Sequence, residues 1–285
     1  LKPTEHVCSG CKELKVFRAD QKFCSRECVS RKTDSRIAFL DIETAPSIGY
    51  TWAKWEQNVI DFIQNGYLLS YSFKCANQAG VKTRGLPDYK KTWAKSKIDD
   101  SALLADLWKD LDSVDIVIAH NGDRFDLPQI RTRFVTLGMS PTSPFQTVDT
   151  LKIARSVFKF KSNKLDDLGR DLGIGRKMAH TGFHLWLGCM KGDPESWRIM
   201  KRYNRRDVLL LEELYYKFLP WSKNHPNVNK GGETRCVRCG SNKIKRDGER
   251  FTNLRKKGLI HCLACGGWFE GPSEKIGGLI GAASK

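Results

Sequence analysis

Arg36-Ile-Ala-Phe-Leu-Asp-Ile-Glu-Thr44 is a short apolar run, the right length for a buried strand, and it closes on two carboxylates. Residues i and i+2 of a strand project to the same face, so Asp41 and Glu43 point together. Two carboxylates delivered side by side at the end of a buried strand call for a divalent cation. The triplet is not diagnostic by itself, because Asp193-Pro-Glu195 and Asp247-Gly-Glu249 repeat it. Those copies contain proline or glycine and read as solvated turns.

Working outward, Asp115-Ile-Val-Ile-Ala-His120 reads as a second buried strand that runs directly into Asn121-Gly-Asp-Arg-Phe-Asp126. Asp126 falls at the start of a helix expected over 125–137, where the helix dipole favours a carboxylate. The longest helical pattern, 195–218, contains Tyr203-Asn-Arg-Arg-Asp207. A separation of four places Tyr203 and Asp207 on one helix face, a turn apart. Between these segments, 67–73 and 80–84 read as strands lying antiparallel beside the first. Residues 101–112 carry helical apolar spacing, with Asp100 or Ser101 as the amino-terminal cap. Leu165, Leu168 and Leu172 line the core face of a short helix. In Tyr50-Thr-Trp-Ala-Lys-Trp55, Trp52 and Trp55 read as packing residues rather than platforms for stacked bases. His120, Asp123, Asp149 and Asp166 are assigned to structure.

Asp41-x-Glu43, Asn121-x-x-x-Phe125-Asp126 and Tyr203-x-x-x-Asp207, in that order and at intervals of 85 and 81 residues, resemble the three exonuclease motifs of the DEDD superfamily of 3′–5′ exonucleases. That superfamily splits by whether a tyrosine lies four residues before the last aspartate or a histidine five before it. Here those positions hold Tyr203 and Arg202, so the chain resembles the tyrosine branch, and the Asp41-to-Pro46 stretch is similar to its phage-type members. The resemblance implies an α/β fold, a ribonuclease H-like mixed sheet with flanking helices, over residues 35–220. It also implies a two-metal phosphodiester hydrolase. Asp41, Glu43, Asp126 and Asp207 are hard oxygen donors suited to two Mg²⁺ or Mn²⁺ ions. In that scheme Asp41 bridges both ions, Glu43 and Asp207 hold the ion that activates water, and Tyr203 orients that water. Asn121 and Lys164 are candidate substrate contacts.

Two cysteine-rich modules flank this region. Cys8-Ser-Gly-Cys11 with Cys24-Ser-Arg-Glu-Cys28 predicts a four-cysteine zinc finger over 1–33, with His6 left on the surface. Cys236-Val-Arg-Cys239-Gly and Cys262-Leu-Ala-Cys265-Gly predict a four-cysteine zinc ribbon over 225–285, with strands near 244–250 and 259–261 and His261 outside the site. Each knuckle closes on a glycine able to take a left-handed turn. Two structural Zn²⁺ ions are therefore expected. Between the ribbon's knuckles, Arg246, Arg250, Arg255, Lys256 and Lys257 are dense enough to suit a phosphate backbone.

Charge and composition agree with a polyanion partner. The 285-residue chain has 49 Lys and Arg against 32 Asp and Glu, and residues 222–285 hold 13 against 5. Such a surplus attracts nucleic acid, with DNA favoured over RNA and single strands over duplex, and replication or repair proteins as possible company. Eight of the ten cysteines fall into short paired spacings with no signal peptide ahead of them, which predicts a reducing, intracellular location, cytoplasmic or nucleoid. No apolar run approaches the roughly 20 residues that span a bilayer. Polymerase and helicase motifs do not occur. The competing readings are a zinc-dependent nucleic-acid adaptor with an inactive ribonuclease H-like domain, and a ribonuclease H-like endonuclease.

Overall fold

The computed structural model describes residues 35–276, apart from 54, 56–57, 77, 180 and 230–233, together with the backbone of two short strands near the amino terminus. Those two, β1 (Pro3–Val7) and β2 (Leu14–Arg18), pair antiparallel. Cys8, Cys11, Cys24 and Cys28, the ligands expected of the amino-terminal finger, lie outside the described residues. The chain divides into two compact units, Arg36–Tyr216 on the one hand and Leu1–Ser35 with Lys217–Lys285 on the other.

In the first unit, β3 (Ile37–Thr44) is the middle of a five-stranded sheet. It is followed by a hairpin, β4 (Ile48–Tyr50) and β5 (Asp61–Gln64), and then by β6 (Leu68–Cys75) and β7 (Lys82–Gly85). β6 pairs antiparallel with both β3 and β7. On the other side, β8 (Ile116–Ala119) and β9 (Gln146–Asp149) run parallel to β3, giving the order β7-β6-β3-β8-β9. The predicted α/β mixed sheet is therefore present. The helices are α1 (Lys90–Lys95), α2 (Ser101–Asp112), α3 (Asp126–Thr136), α4 (Thr150–Val157), α5 (Leu165–Asp171), α6 (Phe183–Lys191) and α7 (Pro194–Phe218).

A strand covered on both faces reads as a continuous apolar run rather than an alternating one, and β3 is such a strand. Ala38, Leu40 and Ile42 join Leu103, Leu104, Leu107 and Leu111 of α2 in one core. Phe39 turns the other way, onto Tyr215 and Tyr216 of α7, with ring centroids 5.5 and 6.2 Å distant. Asp41 and Glu43 share the parity of Phe39, so the carboxylates emerge on the α7 side.

β6 presents its polar parity to the same helix. Ser70 donates to Asn204 and Lys74 pairs with Glu212 at 2.9 Å, the two charged side chains being 4% and 3% exposed. A buried charge stripped of its partner is costly. Lys74→Met is expected to destabilise the fold by about 3–5 kcal/mol, and Lys74→Met with Glu212→Leu to recover most of that in thermal or urea unfolding. A double variant as unstable as the single one would remove the uncompensated charge as the cause.

One local expectation is refined and another corrected. Asp100 is the N-cap residue of α2, as expected, but its side chain makes no capping bond. It receives the Leu68 N–H and a two-pronged contact from Arg133, and the Asp99 carboxylate takes the Ser101 N–H instead. Trp52 and Trp55 do not pack in a core, being 92% and 76% exposed. They belong to the excursion joining β4 and β5, most of whose apolar residues face solvent.

The second unit contains a three-stranded antiparallel sheet, β10 (Ile244–Phe251), β11 (Arg255–Cys262) and β12 (Trp268–Lys275). The second predicted strand is longer than 259–261, and the third was not foreseen. His261 stacks on Trp268, centroids 4.5 Å apart and planes 7° off parallel. Among the described residues, no helix is long and apolar enough to cross a membrane.

Candidate active site

The end of β3 is opened on one side by the shortness of β8. Pairing between them stops at Phe39 and Ile118, and beyond Ala119 the chain turns away through Asn121, whose φ of 68° is left-handed. The next residue has to be small, since a Cβ on Gly122 would lie 2.3 Å from that of Ala119. Asp149 holds this turn by accepting from the N–H groups of Asn121, Asp123 and Leu151, the last as amino-terminal cap of α4. The N–H of Ile42, past the end of the β8 pairing, donates to Asp126 Oδ1 at 3.1 Å. That bond ties the first residue of α3 to β3.

From the other side, α7 aims a buried stripe at the same place. Met200, Tyr203, Asn204, Asp207, Val208 and Leu211 are all buried. Asp41, Glu43 and Asp207 each bring a carboxylate oxygen within 4.8 Å of the others. Asp126 stands outside this tight group, though its charge is felt at both Asp41 and Glu43. Burial, then the charges of Asp207, Glu43 and Asp126, push the Asp41 carboxyl well above its usual range. Burial and Asp207 raise Glu43 to about 8, with an indole hydrogen bond from Trp186 acting the other way. Burial raises Asp126 to about 7 against the N–H groups it accepts. Crowded carboxylates repel unless a cation neutralises them. The donors are hard oxygens, the preferred ligands of Mg²⁺ and Mn²⁺, so the residues fit the expected ions.

One protein cation already reaches into the group. Lys177 Nζ lies 2.5 Å from Asp207 Oδ2 and 3.0 Å from the Tyr203 hydroxyl. Burial would lower its pKa, but Asp207, Tyr203 and Asp41 outweigh that and hold it charged. Its segment is pinned by Asp166, which accepts from the Lys177 N–H and pairs with Arg176. Asn204 is the second residue that sequence reading passed over. Its amide donates to Asp41 Oδ2 at 2.5 Å and to the Asp41 carbonyl at 3.2 Å, while its oxygen accepts from Ser70. Its place beside Tyr203 and Asp207 on the buried stripe of α7 was the available signal. Lys177 sits in irregular chain and offered none.

A cleft of about 850 Å³ opens beside the carboxylates and brings Asp41, Tyr203 and Lys177 together with Asn121 and Lys164, both expected as substrate contacts. His120 is held there by Thr150 and the Asn163 carbonyl. Burial and Asp207 push the Tyr203 hydroxyl above its ordinary range, so it stays neutral.

In the second unit, the four ribbon cysteines converge. Sγ atoms of Cys236 and Cys265 are 3.7 Å apart, those of Cys239 and Cys262 3.6 Å. A tetrahedron of thiolates about 2.3 Å from Zn²⁺ has edges of about 3.8 Å, so the cluster has the right size. Gly240 and Gly266 take the left-handed turns, φ 66° and 79°, and return their N–H groups to the Cys236 and Cys262 carbonyls. The basic side chains between the knuckles are largely engaged on the sheet itself. Arg246 and Lys256 meet Glu249, Arg250 and Lys257 share Glu270, and Arg255 donates to Ser273.

A central mixed sheet with carboxylates gathered at the end of its middle strand defines an RNase H-like domain. Residues 67–219, more than half of the chain, match the RNase_H superfamily, and the chain belongs to that family. The matched span includes Asp126, Tyr203 and Asp207 and begins beyond Asp41 and Glu43. Over 102 residues the chain is 28% identical to a DNA polymerase III PolC-type of Ureaplasma parvum serovar 3, an alignment covering 36% of this chain and 7% of the relative. A family B DNA polymerase from the hyperthermophilic archaeon Pyrobaculum calidifontis is similar in structure at a TM-score of 0.49 and 16% identity, over 77% of this chain and 28% of the polymerase.

Proposed function

We propose that the protein is a metal-dependent 3′–5′ exonuclease of the tyrosine branch, similar to phage-type members, hydrolysing phosphodiester bonds of single-stranded nucleic acid. The observation that carries this reading is the convergence of Asp41, Glu43 and Asp207 beside a neutral Tyr203 hydroxyl. Two Mg²⁺ or Mn²⁺ ions held by these carboxylates and Asp126 would supply Lewis acidity at the scissile phosphate. Asp126, held in place by the Ile42 N–H, would be the fourth carboxylate facing the ions. Asn204 fixes the Asp41 carboxylate by its hydrogen bond. Tyr203 orients the attacking water rather than deprotonating it, because a phenol held above its ordinary pKa is a hydrogen-bonding group at neutral pH. Lys177 offsets part of the negative charge around Asp207. Asn121 and Lys164 meet the strand in the cleft. DNA is favoured over RNA on the name of the PolC-type relative.

Structural Zn²⁺ bound by Cys236, Cys239, Cys262 and Cys265 holds the ribbon, and by the same spacing logic Cys8, Cys11, Cys24 and Cys28 hold a second ion. The flanking modules at 1–33 and 225–285 assist the domain at 35–220 in gripping nucleic acid, with Arg246, Arg250, Arg255, Lys256 and Lys257 supplying the ribbon's positive charge. The test is the size of the products from an unlabelled single strand with Mn²⁺. Mononucleotides support the exonuclease. Oligonucleotides make the site an endonuclease, and an intact strand that is nonetheless bound makes the protein an adaptor.

A further inference from the structure

Helix α7 carries a second functional face. Tyr203 lines the cleft and Asp207 meets Asp41 and Glu43, whereas Arg202, Arg205, Arg206 and Leu209 follow an i, i+3, i+4, i+7 stripe on the neighbouring face. With Arg176 and Met178 they line a separate cavity of about 470 Å³. The segment 176–178 lies between the two places. Lys177 reaches the carboxylates, and the residues on either side of it line the arginine cavity. Among the described residues, four guanidinium groups and no carboxylate line it. Arg206 is built into position, since its Nε donates to the Arg176 carbonyl at 3.0 Å. Its guanidinium also lies where a Cβ on Gly175 would be, 2.2 Å from Nη2. Arg176 is steadied by Asp166 at 2.9 Å, and Arg202 and Arg205 reach the surface. Asp166 pairs with one of the four, and the planar forks of the others match phosphate oxygens.

We propose that this cavity binds backbone phosphates of the nucleic-acid strand outside the catalytic cleft, anchoring the strand whose end the carboxylates process. The assignment of the strand rests on the function proposed above; the anion chemistry rests on the arginines alone. Free phosphate offers the same chemistry, so the test separates the two.

The measurement is fluorescence anisotropy of a labelled single-stranded oligonucleotide, titrated at several salt concentrations with Ca²⁺ present, comparing wild type with Arg202→Gln/Arg205→Gln. Loss of two phosphate contacts should make the slope of log affinity against log salt shallower by about 1.4. Hydrolysis of bis(p-nitrophenyl) phosphate, too short to span both places, should be unchanged. The same slope and affinity in both proteins would overturn the proposal. So would inorganic phosphate binding that the variant loses while its strand binding stays as in wild type, because that marks a small-anion site. A reduced slope together with no hydrolysis of the small diester by wild type would sink the cleavage reading and leave the strand site standing.

Discussion

Asp41→Ala is expected to lower the proposed phosphodiester hydrolysis by at least about 10³-fold, roughly 4 kcal/mol of transition-state stabilisation, and Asp207→Ala to do the same. Asp41 is the carboxylate placed at the centre of the site. It feels Asp207, Glu43, Asp126 and Lys177 together, and Asn204 is devoted to orienting it. Removing it takes a ligand from the expected metal pair and leaves the Asn204 amide with only the backbone carbonyl of residue 41 to donate to. Asp41→Ala relieves like-charge crowding and should be no less stable than wild type in metal-free buffer, whereas Asp207→Ala also takes the ion-pair partner from Lys177 and should lose some stability. Affinity for a single strand should also be largely kept, since the basic residues are untouched. Activity retained in both variants would remove the two-metal site from the account.

Stripping zinc, or replacing Cys236 and Cys239 by serine, is expected to unfold the three-stranded module. β10 has no buried residue, β12 has none, and β11 has only Cys262. A sheet with so little apolar burial has no core of its own to hold it. Structural zinc sites of this type supply about 10–16 kcal/mol of apparent binding energy at neutral pH, more than such a module could otherwise muster. Hydrogen exchange followed by peptide mass analysis should show protection lost across 244–275 and kept in β3 and β6. Unchanged protection after the loss of the metal would mean that the cysteines are not the scaffold of this module.

The sequence was most legible where spacing and burial coincide. Asp41 and Glu43 could be placed because β3 is apolar on both faces, and Tyr203 and Asp207 because a four-residue step on a long helix fixes one face. Asp126 was legible from the strand and helix on either side of it. Its bond to the Ile42 N–H was not, since that depends on where β8 stops. Lys177 depends on Asp166 and on a segment without periodicity, so no pattern announced it. Trp52 and Trp55 were misjudged because large aromatics near a strand usually pack, and composition could not show that β4 and β5 form a projecting hairpin. β12 was hidden by Gly271 and Pro272, residues that a strand tolerates at a sheet edge.

The most direct measurement of the central claim is Mn²⁺-dependent digestion of 5′-labelled single strands, DNA and RNA in parallel, by wild type and by Asp126→Ala. The account predicts a ladder that shortens from the 3′ end with wild type only, DNA being degraded faster than RNA. Clear binding of the strands with no products from wild type would contradict it and make the protein a nucleic-acid adaptor.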